Sequence, residues 1–501
     1  MSNGKGKSRV VVVGAGIGGL TAGALLARRG YEVLILDQAL VPGGCASTFK
    51  RKGFTFDVGA TQVAGLEAGG IHHRIFSELE IDLPEATPCD PACAVYLPGE
   101  STPINVWRNP EKWQEERLRQ FPGSEPFWNL LSTLFKASWR FQARDPVLPP
   151  RNWWDLLQLT FALRPDTLVT VPYTLFTVGD ALRFTGQGNN HRLRTFLDLQ
   201  LKLYSQVNAE ETALLYAATA LSVSQEPQGL YHLEGSMQVL SDRLVESLNR
   251  DGGKLLMRHR VEHIKVENNK ASAIVIRNQK TGECWTESAD HVVTNVTVQN
   301  LVQLLREKAP RGYRERVEKL PSPSGAFVIY LGVDESAIPL GCPPHLQFLY
   351  DVNGPIGENN SLFVSVSRPL DGRAPVGKAT IIASSFVDVD KWFNQNNYDE
   401  LKKKFTQGAI SHLAKFFYLK PETIIHVEAA TPRTFYNFTA RDKGIVGGIG
   451  QRIPTFGPFG FANRTPIKNL WLVGDSTHPG EGTAGVSYSA LTVVRQIETK
   501  T

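Results

Sequence analysis

Gly14, Gly16 and Gly19, with Ala15, Ile17 and Gly18 between them, form a G-x-G-x-x-G turn whose chemistry is anion binding. In this spacing the first glycine permits a tight turn and the second lets the backbone approach a pyrophosphate. The third lets the following helix lie close on the preceding strand. N–H groups at the start of that helix then meet the phosphates with a partial positive charge. Asp37 closes the next apolar run, where a carboxylate accepts hydrogen bonds from a ribose and repels the extra phosphate of NADP. Pro42-Gly43-Gly44-Cys45-Ala46-Ser47 follows, and two adjacent glycines there suit a loop running against a bound cofactor. Taken alone, the same residues also suit a plain turn.

A second turn of the same kind lies near the other end of the chain. Gly474-Asp475 follows the apolar run Asn469–Val473, and Gly480, Gly482 and Gly485 stud the segment that opens a last apolar helix. A simple nicotinamide enzyme needs one phosphate-binding turn. An extended FAD takes a second strand–turn–helix for its ribityl chain and ring. Asp475 is placed for the ribityl hydroxyls, and the helix start at Gly482, Gly485 and Val486 for the pyrimidine edge of the flavin. The cofactor predicted is FAD.

These turns need particular elements behind them. Arg9–Val13 reads as a buried strand, the stretch from Leu20 to Arg29 as a helix and Tyr31–Leu36 as a second strand, a βαβ unit. Ser241–Asn249 reads as an amphipathic helix. Lys254–Met257, Val261–Val266, Ser272–Asn278, His291–Thr294 and Asn469–Val473 read as strands. The fold class is therefore α/β, a discontinuous Rossmann-type FAD-binding domain from residues 1–80, 228–300 and 425–501. Residues 81–227 and 300–425 form an inserted α+β substrate-binding and membrane-facing domain.

Composition narrows the function. A chain of 501 residues with 42% hydrophobic and 21% charged residues is a folded protein with room for two domains. Lys and Arg exceed Asp and Glu only by 54 to 49, which argues against a nucleic-acid partner. Five sparse cysteines fit a reducing compartment, and Cys89 and Cys93 lack the second ligand pair a zinc site needs. No metal is expected. No signal peptide precedes the first strand, and no apolar run reaches the length of about 18 residues a spanning helix needs. The expected location is cytoplasmic, with any membrane contact peripheral.

The fingerprint, the Pro-Gly-Gly loop, the strand at Val261, the Tyr231–Met237 stretch and the final Gly-Asp segment together resemble the phytoene desaturase-like branch of the amine oxidase superfamily. Within it, the sequence is most similar to the cyanobacterial C-3′,4′ carotenoid desaturases, with the prolycopene isomerases next. The resemblance implies FAD, with the Val261 backbone touching the adenine. Two departures stand out: Cys45 occupies a place where many relatives carry Arg, and Asp37 replaces their usual Glu.

No catalytic triad, metal cluster or carboxylate pair appears, which suits this chemistry. The resemblance implies hydride transfer from an allylic carbon of a monocyclic or hydroxylated carotenoid to the flavin, introducing a C-3′,4′ double bond. No side-chain nucleophile is then required. Glu481, between glycines, is the candidate base for the neighbouring proton, although a solvated loop acid is the more ordinary reading. His478 reads as a structural, hydrogen-bonded histidine. A carotenoid cis–trans isomerase with reduced FAD is the alternative, and a non-catalytic flavoprotein a further one. An amine oxidase acting on a polar substrate fits the basic aromatic insert poorly. With no second nucleotide fingerprint, a membrane quinone or dioxygen is the expected electron acceptor.

A carotenoid substrate requires access to lipid. Residues 128–194 hold eight Lys or Arg against four Asp, interleaved with Trp128, Trp139, Trp153 and Trp154. Cations and aromatic rings together suit the headgroup layer of an anionic lipid surface. The competing reading makes these aromatics the core of the substrate domain.

Overall fold

The computed structural model describes residues 8–393 and 395–499. Its first layer is a five-stranded sheet in the order Leu470–Leu472, His291–Thr294, Arg9–Val13, Glu32–Asp37, Lys254–Met257, paired parallel throughout. The first strand is a continuous valine run because both its faces are covered. Val10 and Val12 join a core with the helices Ile17–Arg28, Gln238–Arg250 and Thr483–Glu498. Val11 and Val13 point the other way, into a core with the antiparallel strands His259–Glu267 and Lys270–Asn278. The sheet thus draws strands from the beginning, middle and end of the chain, and it brings the two glycine-rich turns to the same strand ends.

A second, seven-stranded mixed sheet runs Ile424–Ala430, Ser324–Asp334, Lys378–Asp388, Ser361–Val366, His345–Leu349, Cys93–Tyr96, Ile104–Val106. Helices Pro110–Gln120, Glu125–Gln142, Val178–Phe184, His191–Ser205 and Leu214–Ser222 enclose an apolar cluster beside it. Cys89 and Cys93 are free thiols buried in that cluster.

A buried ionic knot ties the end of the strand Phe54–Asp57 to the loop before Lys378–Asp388. Arg373 donates through Nε to Oδ2 of Asp57 at 3.0 Å, and through Nη1 to the carbonyl of Leu233 at 2.8 Å and to Oδ2 of Asp371 at 3.2 Å. Asp57 also accepts from the amide of Met237 at 2.8 Å, so its charge is doubly held. Removing Arg373 would leave the Asp57 carboxyl in the interior without its counter-charge, which costs on the order of 3–5 kcal/mol.

Candidate active site and cofactor cradle

One cavity of about 1990 Å³ runs from the ends of the parallel strands to the second sheet and its helices. Ordinary small-molecule pockets occupy about 300–1,000 Å³, so this one has room for a dinucleotide and a long ligand together.

Its first end is built as the glycine spacing predicts. Gly14 has φ +100°, and a Cβ there would lie 2.6 Å from the carbonyl oxygen of Asn295. A Cβ on Gly19 would strike the Gly14 carbonyl, so this glycine serves helix–strand contact and does not line the cavity. Gly14, Gly16, Ile17 and Gly18 line it, and the helix they open has no side-chain N-cap, leaving the amides of its first turn for an anion. Asp37 sits at the end of its strand and accepts from the amides of Ala15 at 2.7 Å and Ala39 at 2.8 Å. Burial raises its pKa, and those two amides oppose the rise. Val261 lines the same end, buried in the strand next to the parallel sheet.

Gly43, Gly44 and Cys45 form the middle of the cradle. Gly43 (φ +111°) donates its amide to the Ala15 carbonyl at 2.8 Å, which ties this loop to the fingerprint. A Cβ on Gly44 would lie 3.4 Å from the Cα of Gly16 and otherwise stand in open cavity. Burial pushes the Cys45 thiol up, against the charge of Arg441.

Gly474 (φ +122°), Asp475, Glu481, Gly482, Gly485 and Val486 line the cavity next to the first turn. A buried polar network fixes their turn: Asn463 donates to the Leu472 carbonyl and to Ser489 Oγ, each at 2.9 Å, and the Gly474 amide donates to Ser489 Oγ at 3.2 Å. Gly482 (φ +90°) begins the last helix, again without a side-chain cap. Two uncapped helix N-termini, side by side, open onto one cavity. The cradle therefore fits FAD: one helix start and glycine turn for the pyrophosphate, the other for the flavin.

Glu481 is half-buried at the cavity wall. Gln206 donates through Nε2 to Glu481 Oε2 at 3.0 Å, while Oε1 is buried with no hydrogen bond of normal geometry. Burial pushes this carboxyl up to about 8, opposed by the Gln206 hydrogen bond and reinforced by Asp475. His478 faces Gln142 across 3.0 Å, and burial holds the imidazole down at about 4, so it is neutral at physiological pH.

Asn295, Arg441 and Gln206 were not legible as site residues. Asn295 packs against Gly14, Gly16, Gly18 and Gly474, and only the arrival of its strand beside Val13 brings it there. Arg441 lines the cavity and pairs with Asp475 at 2.7 Å.

The far walls are apolar, including Trp139, Leu163, Val171, Tyr216, Leu230 and Phe386. The segment that supplies Leu163 and Val171 also exposes Trp153 (71%), Phe161 (58%), Leu168 (50%), Leu175 (64%) and Phe184 (50%). Asp155 anchors its helix to the cofactor side, accepting from Arg464 at 3.2 Å and Gln496 at 3.0 Å. The expectation for this segment is corrected in part. Trp128 is core, buried with its Nε1 on Ser124, and Trp139 and Trp154 are half-buried. Arg140 and Arg144 pair with Asp166, and Arg183 and Arg194 with Glu210, which neutralises part of the basic excess. Among the described residues no helix is long and apolar enough to cross a membrane.

A parallel sheet carrying two phosphate-binding turns, fused to a second sheet over an apolar cavity, defines an FAD-dependent oxidoreductase. The chain belongs to the flavin containing amine oxidoreductase family, whose model matches residues 17–498. It is 28% identical over 506 residues to prolycopene isomerase 1, chloroplastic, of an Oncidium hybrid cultivar, covering 97% of this chain and 83% of that one. To the zeta-carotene-forming phytoene desaturase of Myxococcus xanthus it is 25% identical over 511 residues, covering 98% and 94%. An oxidoreductase from Methanosarcina mazei shares the fold, with TM-score 0.62 and 18% identity over 97% of this chain and all of that one.

Proposed function

We propose that this FAD enzyme removes hydrogen from a carotenoid, desaturating a monocyclic or hydroxylated substrate at C-3′,4′. The observation that carries a polyene is the cavity itself, a long apolar space continuing from the cofactor cradle and opening among exposed apolar side chains. Relatives named as carotenoid desaturases and isomerases cover nearly the whole chain and support the same substrate class.

When bound, FAD supplies a two-electron acceptor for a hydride. The protein's part is to hold and to deprotonate. Gly14, Gly16 and Gly18 let the turn close on Asn295 and border the pyrophosphate, Gly44 leaves room for it, Asp37 would take the ribose hydroxyls, the Val261 backbone would border the adenine and Asp475 would take the ribityl chain. Apolar walls orient the polyene and exclude water. Glu481 accepts the proton of the neighbouring C–H, so that each double bond formed releases one hydride to the flavin and one proton to the carboxylate.

The exposed rim from Trp153 to Phe184 docks on a lipid surface, so that substrate enters the cavity without crossing water. A membrane quinone is the electron acceptor on this reading.

The second reading is a cis–trans isomerase working from reduced FAD, favoured by the 28% identity to prolycopene isomerase 1. Supplying a monocyclic carotene or its 1′-hydroxy derivative with a quinone decides between them. Desaturation gives a product two hydrogens lighter that absorbs at longer wavelength. A poly-cis substrate converted to all-trans at unchanged mass, only with pre-reduced flavin, establishes the isomerase instead.

A further inference from the structure

We propose that Gln206 is a positioning residue for Glu481, holding its carboxyl by one oxygen in a fixed orientation at the cavity wall. The proposal rests on the reading of Glu481 as the base.

Gln206 terminates the helix His191–Ser205 in a left-handed conformation, φ 67° and ψ −4°. A non-glycine residue adopts that conformation at a cost of about 1 kcal/mol, and such strain collects where a side chain must be aimed. The strained backbone is held by its own last helical turn and tied to the second sheet: Lys202 donates through Nζ to the Gln206 carbonyl at 2.9 Å and to Ser324 Oγ at 3.0 Å. Gln206 is 6% exposed, and its amide nitrogen reaches Glu481 Oε2 at 3.0 Å. The pair also needs Gly447: a Cβ at that position (φ +65°) would collide with both Gln206 Nε2 and Glu481 Oε2. Strained residue, glycine and acid come from three separate stretches of chain to make one hydrogen bond.

Both residues line the cavity, and Glu481 Oε1 is buried with no hydrogen bond of normal geometry, the Gly448 amide lying near enough to favour the ionised carboxylate. A buried acceptor with no donor is costly unless a ligand, a water or a proton satisfies it. Charged and titratable groups around it are Asp475 and Arg441 across the cradle, Lys202 on the helix and Tyr216 on the next helix. A hydrogen bond donated to the ionised carboxylate favours that form, so losing the Gln206 amide raises the proton affinity of Glu481.

Two variants keep the test independent of folding. Gln206→Leu preserves bulk, whereas Gln206→Gly removes the side chain and relieves the left-handed backbone. The readout is the C=O stretch of the protonated Glu481 carboxyl in the FAD-loaded protein, followed by infrared difference spectroscopy against pH. Wild type loses this band as pH rises through about 8, and both variants are expected to lose it at least about one pH unit higher, a tenfold change in proton affinity. A wild-type midpoint in Gln206→Gly overturns the proposal and leaves the titration of Glu481 standing. A band that persists in Glu481→Gln belongs to another acid and overturns it as well. Undiminished carotenoid turnover in Glu481→Gln overturns the base reading, and the proposal with it.

Discussion

Arg441 donates through Nη2 to Oδ2 of Asp475 at 2.7 Å, closing the cavity wall within electrostatic reach of Cys45. The guanidinium also caps the carbonyls of Ile445 and Gly447, so it orders the loop that carries Gly447 as well as the acid. Asp475→Ala is expected to lower FAD occupancy and to cost about 3 kcal/mol, because it leaves a mostly buried cation without its counter-charge. The flavin-to-protein absorbance ratio and thermal unfolding measure the two effects. Undiminished occupancy would show that Asp475 does not touch the cofactor.

Gly44→Ala separates cofactor binding from folding. The added methyl would stand in the cradle, 3.4 Å from the Cα of Gly16, with nothing else within 4 Å. Its left-handed φ of 59° costs about 1 kcal/mol of stability, whereas FAD affinity is expected to fall more than about tenfold because the methyl occupies cofactor space. Titrating apoprotein with FAD checks this, and a wild-type Kd would place the cofactor away from Gly44.

The pH dependence follows from Glu481. Its carboxyl, pushed up to about 8, holds a proton at neutral pH and cannot accept another; above that value the carboxylate can. Turnover is therefore expected to rise with pH through about 8, and Glu481→Gln to abolish that limb and lower kcat by about 10²–10⁴. A pH–rate profile that keeps its limb in the variant excludes Glu481 as the base.

Much of this site was readable because local spacing imposes it. Gly14, Gly16, Gly19, Asp37, Gly474 and Asp475 each sit where a strand–turn–helix needs that residue type, and the parallel sheet then aligns the two turns. Residues that act across long separations were not readable. Arg441 meets Cys45 and Asp475 only once the last loops close over the cradle, and the Asp57–Arg373 knot joins the strand Phe54–Asp57 to a loop far along the chain. Trp128 shows the opposite failure: its aromatic and basic neighbours matched an interfacial pattern, yet Arg117 stacks on it at 5.1 Å within a packed helical core. Composition cannot separate a buried helix face from a wet one when both are aromatic.

The exposed rim gives a membrane prediction on different residues from the cations. Replacing Trp153, Phe161 and Leu175 together with Ser removes apolar side chains that are 58–71% exposed, so stability should change by less than about 1 kcal/mol. Sedimentation with anionic liposomes is expected to fall several-fold, and salt should weaken the wild-type interaction only in part. Unchanged sedimentation would move the lipid contact elsewhere.

The central claim, that FAD here takes hydrogen from a polyene, is tested most directly by an anaerobic single turnover. Oxidised holoenzyme is mixed with an excess of a monocyclic or 1′-hydroxylated carotene and no other acceptor. The account predicts bleaching of the oxidised flavin band, with one product molecule two hydrogens lighter for each flavin reduced. A product of unchanged mass, formed without bleaching or only after prior reduction of the flavin, would contradict it.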